Sequence, residues 1–467
     1  MGTETRRRIL VRAAKSPWRV AQARETLDKN LIGTNSGNLI FSHAAMRMLA
    51  SSRSDVDTGV FNATANDVDW INERFDHFVI PLANAFRPDF SHHLEQMSDC
   101  IERLKIPVTV FGVGAQAVGE GSHEELAPLA PIVRRFVGAV LDRSASIGVR
   151  GEFTARYLGS LGFGSSQVEI IGCPSMFLTD GVTRVPTRVP EPTRERRVAI
   201  NLTAKIDGIR TMAERHRKMF PKICYVAQDS RDLRIFLQRE WDTPQRDLDD
   251  APITPRDPIL APSTTAFYLD PHTWIDDLAD FDVAFGTRIH GNVAALLAGT
   301  PAYVLAHDSR TLELARYFEI PYTDVSGPNG VSEIDAARLF ATADYTAMKA
   351  NHAARLRTTC SFLERNGLHH VYEPGESPNA FDASIAALDL PAAVRAASPA
   401  RAAYRALRRR VLVDPAHAND ESAPGGRSHE ARSQGPVQFL RQGPPARHHH
   451  RMGPGLRRPR AGALRHL

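Results

Sequence analysis

The 467-residue chain is poor in cysteine and has no long apolar run. Its four cysteines are Cys100, Cys173, Cys224 and Cys360. They are far apart in the sequence and form no CxxC pair, which argues against a zinc site and favours reduced, mostly buried thiols. No stretch reaches the ~20 uninterrupted apolar residues of a membrane helix. The most apolar window, 289–305, is interrupted by histidine, asparagine, glycine and proline, so we expect no transmembrane segment.

The N-terminus also lacks a secretory signal, because residues 1–20 are basic without an apolar core. Positive charge is concentrated at the other end, where residues 415–467 hold 9 arginines and 3 acidic residues. Without this tail, 49 basic residues face 50 acidic ones, so the body carries no basic patch for a nucleic-acid partner. We expect a cytoplasmic protein. Its tail could touch an anionic membrane as a peripheral protein does, although solvation is the simpler account.

Two common enzyme motifs are missing as well. No GxGxxG opens a helix after the first strand, which disfavours a dinucleotide oxidoreductase. No GxSxG nucleophile elbow occurs either.

Short apolar segments alternate with amphipathic helices along the body, which is typical of parallel α/β sheets. The predicted strands are 78–82, 108–114, 146–150, 168–172, 198–203, 223–227, 267–269, 283–285 and 302–305. Two such blocks predict two Rossmann-like domains facing a cleft. The predicted domains are 1–185, a linker at 186–197, 198–335, a helical segment at 336–412 and a disordered basic tail at 413–467.

The segment 281–301 is the most informative, because a strand there runs directly into a small-residue helix. The strand should end at Gly286, with Thr287 as the N-cap and the helix beginning near Arg288. A helix N-terminus at the carboxyl end of a strand suits a phosphate or carboxylate, and Arg288 adds a bidentate donor. His290 is a candidate proton donor, and Gly291 removes bulk beside it.

Two further turns could approach a ligand. Asn35, Ser36 and Gly37 form a glycine-containing turn into a helix, which could bind an acceptor or a phosphate. Gly114 and Gln116 follow a β-branched run, and the glycine would let the backbone approach a ligand closely. An ordinary strand-to-helix turn explains either pattern equally well.

Taken together, these segments resemble the polysaccharide pyruvyl transferase family. The resemblance rests on residues 33–39, 112–116, 148–150, 172–175, 286–291, 298–301 and 306–310, together with Glu313 and residues 320–321. The block Arg-Ile-His-Gly at 288–291 is its most specific part.

The resemblance implies a GT-B-like fold and transfer of a pyruvyl group from phosphoenolpyruvate to a sugar or glycan acceptor, free or lipid-linked, with no further cofactor. It implies that Arg288 and Arg150 hold the donor and that His290 protonates its methylene carbon. The substrate-binding residues it suggests are Asn35, Ser36, Gly37, Gly114, Gln116, Thr287, Gly291, His307 and Asp308.

The general base is left open, with Asp308 and Glu152 as candidates. The chain departs from the family pattern at Cys173 and near Asn38, where we expect acidic residues. Neither side chain can serve as a carboxylate base. No histidine stands beside Cys173 in the sequence, which favours a buried thiol.

Two other functions stay open at this point. A nucleotide-sugar glycosyltransferase would need an acidic partner for a ribose, for which Asp270 and Asp282 are the candidates. A non-catalytic glycan-binding protein would not need Arg288 and His290. None of the residues singled out requires a metal.

Overall fold

The computed structural model describes residues 6–119, 123–189, 192–238, 257–327 and 330–398. Every pair of strands in these ranges is parallel. The strands form two lobes, and a cleft between them is lined by both. The predicted fold class, parallel α/β with two Rossmann-like domains, is therefore confirmed. No helix in the described ranges is both long and apolar enough to cross a bilayer.

The first lobe holds six strands. They are β1 (Arg7–Val11), β2 (Ser54–Asp57), β3 (His77–Pro81), β4 (Val108–Phe111), β5 (Ile147–Val149) and β6 (Val168–Ile170). The sheet order is β2-β1-β3-β4, and β5 pairs with β6 beside it. A parallel bridge between Val113 and Val149 joins the two ladders. The strand order reverses between β1 and β3, which creates a crevice at their carboxyl ends.

Seven α-helices lie in the described residues of this part of the chain. They are α1 (Ala23–Asp28), α2 (Gly37–Leu49), α3 (Val68–Arg74), α4 (Ser91–Ile101), α5 (Ala130–Leu141), α6 (Glu152–Ser160) and α7 (Gly181–Arg184). Helix α2 is buried along almost its whole length. Most of its side chains are apolar, and the polar residues Ser42, His43 and Arg47 are buried as well, as expected of a helix packed between two layers.

The second lobe has a single six-stranded sheet. Its strands are β7 (Val198–Asn201), β8 (Ile223–Ala227), β9 (Thr265–Phe267), β10 (Val283–Gly286), β11 (Ala302–Ala306) and β12 (Tyr322–Asp324). The order β12-β11-β10-β7-β8-β9 is the Rossmann order, which reverses between β7 and β10.

The remaining helices are α8 (Ile209–Met219), α9 (Ser230–Gln238), α10 (Pro271–Leu278), α11 (Ile289–Ala298), α12 (Ser309–Tyr317), α13 (Ala336–Thr342), α14 (Thr346–Arg365) and α15 (Asn379–Ala386). Helices α10 and α11 pack against α2 of the first lobe. Just beyond α14, the Asn366 side chain accepts a hydrogen bond from the backbone N–H of Ala145 at 3.0 Å. The chain therefore returns to the first lobe after completing the second sheet.

The sequence missed three strands, β1, β2 and β12. Strand β1 lies within the basic N-terminus, where charge hid the apolar triplet Ile9, Leu10 and Val11. The predicted linker, 186–197, falls between β6 and β7, and the predicted domain boundaries stay predictions. The predicted tail, 413–467, lies outside the described residues.

A buried ion pair joins the two lobes. The Lys15 ammonium lies 2.8 Å from Oδ2 of Asp270, and both side chains are almost wholly shielded from solvent. The other carboxylate oxygen of Asp270 accepts a hydrogen bond from the backbone N–H of His272 and so caps α10. Removing the ammonium would leave an uncompensated buried carboxylate at the junction of the lobes.

We expect Lys15→Met to lower the free energy of unfolding by about 3–5 kcal/mol, the range for breaking a buried pair. Urea denaturation measures this change. Arg8→Met is the matched control, because the Arg8–Asp76 pair is about half exposed, and we expect it to cost about 1 kcal/mol or less. If the free energy of unfolding fell by the same small amount in both variants, the buried pair would not be what holds the two lobes together.

Candidate functional site

A cavity of about 490 Å³ lies between the two lobes. It opens where both sheets reverse their strand order, as open α/β sheets predict. On the first lobe, Arg12 follows β1 and Leu82 follows β3, and on the second, Thr203 follows β7 and Thr287 follows β10. Four strand ends thus converge on one space.

Five arginines line this cavity: Arg12, Arg87, Arg150, Arg288 and Arg310. In the described part of the chain, no carboxylate forms an ion pair with Arg12, Arg87 or Arg150. The Nε atoms of these three, and Nη2 of Arg150, are buried without a hydrogen-bond partner. Burial lowers the pKa of Arg12 to about 10 and also lowers that of Arg150. Both remain cations near neutral pH, so their N–H groups are available to an anion.

The turn that carries Arg288 is fixed by buried amides. The backbone N–H of Arg288 donates to Oδ1 of Asn201 at 2.7 Å. Asn201 in turn donates to Asn292 at 2.9 Å, and Asn292 donates to the carbonyl of Gly286 at 3.0 Å. Gly286 has φ +149°, and a Cβ there would lie 1.9 Å from the Asn201 carbonyl oxygen. Only glycine allows this approach.

The predicted N-cap is displaced by one residue. Arg288, in extended conformation, caps α11, and its side chain makes no capping hydrogen bond and lines the cavity. The hydroxyl of Thr287 instead accepts a hydrogen bond from the backbone N–H of Thr203 at 2.7 Å. Thr287 therefore ties β10 to β7 rather than capping the helix.

Asp229 holds the Arg288 side chain by an ion pair. The other oxygen of this carboxylate accepts a hydrogen bond from the Asn35 side chain at 2.8 Å. Asn35 belongs to the first lobe and Asp229 to the second, so this contact bridges the cavity. The pair is about one-quarter to one-third exposed, and an anionic ligand could therefore compete with Asp229 for Arg288.

His290 lies on the first turn of α11 and lines the cavity. Burial, followed by the charges of Arg150 and Arg310, lowers the pKa of His290 to about 3. Its Nε2 lies 3.9 Å from Sγ of Cys173, which is fully buried. Burial also raises the pKa of the Cys173 thiol, so the thiol is neutral. The sequence found no partner histidine for Cys173; the fold supplies one.

The Asp308 carboxylate is held by its neighbours. It caps α12 by accepting from the backbone N–H of Thr311 at 2.9 Å, and it pairs with Arg310 at 2.7 Å. Burial alone would raise the pKa of Asp308, but Arg310, His307 and the cap outweigh it and keep this pKa below its usual range. The other predicted base, Glu152, is 81% exposed and lines a different cavity.

A model of the polysaccharide pyruvyl transferase family matches residues 35–309, more than half of the chain. The chain belongs to this family. It is therefore an enzyme of the pyruvyl transferase type, and the cavity described above lies mostly within the matched segment. No curated protein matches the chain.

Several solved structures resemble this pyruvyl transferase at low identity. The UDP-GlcNAc 2-epimerase of Methanocaldococcus jannaschii is 9% identical, with a TM-score of 0.42, covering 75% of this chain and 99% of that one. Anabaena HepE in complex with UDP-glucose is 10% identical, with a TM-score of 0.42 and coverages of 77% and 98%. S. aureus MnaA with UDP is 11% identical, with a TM-score of 0.37 and coverages of 76% and 97%. Scores of this size carry no argument about the substrate of this chain.

The predicted site residues of this pyruvyl transferase divide into two groups. Those that line the cavity are Asn35, Gln116, Arg150, Thr287, Arg288, His290 and His307. Those that lie behind its wall are Ser36, Gly37, Gly114, Gly291 and Asp308. For both groups, direct contact with substrate stays a prediction.

The glycines behind the cavity wall leave space for side chains that line the cavity, such as those of His290 and Gln228. A Cβ at Gly37 would lie 2.8 Å from Cβ of His290, and one at Gly291 would lie 2.7 Å from the Gln228 amide nitrogen. The backbone N–H of Ser36 donates to the Gln228 carbonyl at 2.9 Å, which joins the lobes. These residues therefore position the lining and do not form it.

Sequence reasoning missed Arg12, Arg87 and Asp229, and gave Arg310 no role. Arg12 could not be recognised because β1 was not predicted. Asp229 stands two residues after the predicted strand 223–227, so its place at a strand end was a usable signal.

Asn38 explains one departure from the family pattern. Its side-chain N–H₂ donates to the carbonyls of Ile32 at 3.1 Å and Gly33 at 2.9 Å. A carboxylate at this position could not donate, so the amide suits the local turn.

The two carboxylates considered as ribose partners do not line the cavity. Asp270 is buried against Lys15, and Asp282 binds the side chain of Arg196 at 2.6 Å and the backbone N–H of Arg197 at 2.8 Å. A nucleotide-sugar glycosyltransferase would need one of these carboxylates in the cavity to bind the ribose, and neither lines it.

One cluster in the described residues has metal-ligand spacing. Ligand atoms of His43, Asp270 and His272 lie within 4.8 Å of one another. However, Lys15 already places an ammonium on the Asp270 carboxylate, and this positive charge opposes a second cation. His43 is fully buried.

We expect inorganic phosphate to bind the wild-type chain and to raise its melting temperature, because a ligand that binds only the folded state stabilises it. Arg150→Gln should weaken phosphate binding by roughly tenfold or more, the effect of losing hydrogen bonds to a charged group. Titration calorimetry and thermal unfolding measure both effects. Arg103→Gln, an exposed arginine remote from the cavity, is the control. Equal affinities in the two variants would show that Arg150 does not face the anion.

Proposed function

We propose that this enzyme transfers a pyruvyl group from phosphoenolpyruvate to two hydroxyls of a sugar in a glycan precursor, forming a ketal and releasing phosphate. The observation that carries the proposal is the convergence of five arginines and a helix N-terminus bearing His290 on one cavity. Phosphoenolpyruvate has a phosphate and a carboxylate on a small skeleton, and it needs such a convergence of donors.

The donor fits the part of the cavity lined by Arg150 of the first lobe and by Arg288 and the start of α11 of the second lobe. Arg150 offers two buried N–H directions that no protein group uses. Arg288 can exchange the Asp229 carboxylate for a carboxylate or phosphate oxygen of the ligand. The N-terminus of α11 adds backbone N–H groups and a partial positive charge for the same anion.

His290 becomes the acid only when the donor is bound. In the empty cavity its imidazole is neutral, because burial and the charges of Arg150 and Arg310 disfavour a further cation. A bound trianion offsets those arginines and raises the pKa of His290. The imidazolium then protonates the methylene carbon, and the positive charge that develops at the neighbouring carbon attracts a sugar hydroxyl.

We assign the base to His307. Its imidazole lines the cavity, burial lowers its pKa, and its Nε2 lies 3.5 Å from Oδ2 of Asp308. A carboxylate behind an imidazole stabilises the cation that forms when the base accepts a proton. Two hydroxyl protons leave the acceptor in all: one balances the proton given to the methylene carbon, and the other leaves on the phosphate.

The acceptor sugar fits the first-lobe side. Phe61 and Phe90 present aromatic rings to the cavity, and Asn62 and Asn84 present amides. The Asn84 oxygen is buried without a partner, while its N–H₂ orients Gln116 at 2.8 Å. Such a set suits a polyol with one apolar face. We propose a cytoplasmic step in exopolysaccharide synthesis on a free or lipid-linked glycan, with phosphoenolpyruvate as co-substrate and no cofactor.

Phosphoenolpyruvate should bind the wild-type enzyme saturably in calorimetry, and Arg288→Ala should weaken this binding by at least tenfold. His290→Gln should bind the donor within a few-fold of wild type but release phosphate at least about 100-fold more slowly in the presence of acceptor, since general acids contribute about 10²–10⁴-fold. UDP-glucose is the control ligand. Binding of UDP-glucose without binding of phosphoenolpyruvate would favour the nucleotide-sugar alternative.

Donor binding should be accompanied by proton uptake. Because the bound anion raises the pKa of His290 from about 3, binding should strengthen as the pH falls. Calorimetry above about pH 7, where the donor phosphate is fully ionised, in buffers of different ionisation enthalpy measures the uptake. The part due to His290 should disappear in His290→Gln. An unchanged uptake in that variant would contradict the assignment of His290 as the acid.

A further inference from the structure

Glu313 lies directly behind the cavity wall and is not part of the chemistry described so far. It is on α12, three residues after Arg310, and is only 5% exposed. Its Oε2 accepts from the backbone N–H of Thr154 at 3.0 Å and its Oε1 from the Thr154 hydroxyl at 2.8 Å. The same hydroxyl accepts from the backbone N–H of Ala115 at 2.9 Å. One carboxylate thus ties α12 to the loops after β4 and β5, the second of which carries Arg150.

Two glycines of these loops make room for Glu313. A Cβ at Gly151 would lie 2.8 Å from Cβ of Glu313. A Cβ at Gly114 would lie 3.3 Å from Oε1 of Glu313 and 3.5 Å from Cδ of Arg150. The side chains of Glu313 and Arg150 are therefore neighbours packed against the same glycine. The glycine-containing segments noted in the sequence accommodate this carboxylate.

Glu313 is an acidic residue next to Arg150, on the side away from the donor cavity. Arg150 has no ion-pair partner in the described ranges, and the Cys173 thiol beside it is neutral. Burial lowers the pKa of Arg150, and Cys173, then Glu313 and then Asp308 act against this effect. Of these three neighbours, Glu313 and Asp308 are the carboxyl groups. Asp308 is already committed to Arg310.

A second cavity gives Glu313 a route to solvent. It has a volume of about 460 Å³, lies on the far side of α12 and is lined by Glu313 itself. The other charged groups on its lining are Glu152, Arg156, Arg316 and Arg355. Burial raises the pKa of Glu313 to about 7, although its hydrogen bonds from Thr154 and the charge of Arg150 act in the opposite direction. A proton can therefore reach or leave this carboxyl group near neutral pH without passing through the active cavity.

We propose that Glu313 is the positioning residue and exchangeable counter-charge of Arg150: above neutral pH it is a carboxylate while the cavity is empty, and it becomes a protonated carboxyl group once the donor anion lies on Arg150. The donor takes over the neutralisation of Arg150, and the proton enters from solvent through the second cavity. This inference rests on the donor site of the proposed function. It adds a proton-linked control of donor affinity.

The test compares wild type, Glu313→Gln and Glu152→Gln at about pH 6 and about pH 8, on either side of the Glu313 pKa. Glutamine nearly matches the shape of glutamate and can still accept from the Thr154 N–H. At the higher pH, wild type must protonate Glu313 to bind the anion, whereas Glu313→Gln need not. We therefore expect Glu313→Gln to bind phosphoenolpyruvate about fivefold or more tightly than wild type there, and equally at the lower pH. Glu152→Gln changes another residue that lines the second cavity, and it should bind phosphoenolpyruvate as tightly as wild type at both pH values.

Comparing variants at one pH cancels the titration of the ligand and of His290. Weaker binding by Glu313→Gln at both pH values, or the same affinity ratio at both, would reduce Glu313 to a structural role and overturn the proposal. Infrared difference spectra of the wild-type chain give a readout that needs no variant to fold. Donor binding at the higher pH should produce a protonated carboxyl band, and its absence would also overturn the proposal.

Inorganic phosphate, run in parallel, separates the two hypotheses. If phosphate binds with the expected Glu313 dependence while phosphoenolpyruvate does not bind, the counter-charge inference stands and the proposed donor is wrong. If phosphoenolpyruvate binds but Glu313→Gln shows no pH-dependent gain, the donor stands and the inference is wrong.

Discussion

The main physical constraint on this structure is the repulsion between positively charged arginine side chains that are partly buried around one cavity. Five guanidinium groups face one cavity, and three of them have no carboxylate within ion-pair distance in the described part of the chain. Burial of an unpaired charge is costly, and several neighbouring features reduce that cost. Asp229 holds Arg288, Asp308 holds Arg310, and Glu313 lies behind Arg150. An anionic ligand would complete the neutralisation that these carboxylates begin.

The cavity exists only because the two lobes are fixed against each other. Helix α2 is buried between them, and the Lys15–Asp270 pair crosses the same junction. Asn35 reaches from the first lobe to Asp229, and Ser36 reaches to the carbonyl of Gln228. These contacts are adjacent to the ligand cavity. The geometry of the arginines therefore depends on packing at the junction as much as on either sheet alone.

Three histidines, His43, His290 and His307, differ in whether they line the cavity. His43 is buried beside the Lys15–Asp270 pair, and burial lowers its pKa to about 3. His290 has a similarly low pKa but lines the cavity, where an arriving anion can reverse the effect of Arg150 and Arg310. His307 lines the same cavity and faces Asp308. His290 and His307 line the cavity and His43 does not, so of these three histidines only His290 and His307 are placed for proton transfer to a ligand.

The sequence by itself determined the parallel α/β class, the two-lobed arrangement and the strand-to-helix turn with Arg288 and His290. These depend on local periodicity and on short motifs, which are readable within about twenty residues. It could not determine the partners of that turn, since Asn201, Asp229 and Cys173 are 59 to 117 positions away along the chain. Nor could it assign Arg12, whose strand was hidden among basic residues, or show that Gly114 packs closely against Glu313 and Arg150. Tertiary structure decided these points, because burial, charge neutralisation and hydrogen-bond partners arise only when distant segments are brought together.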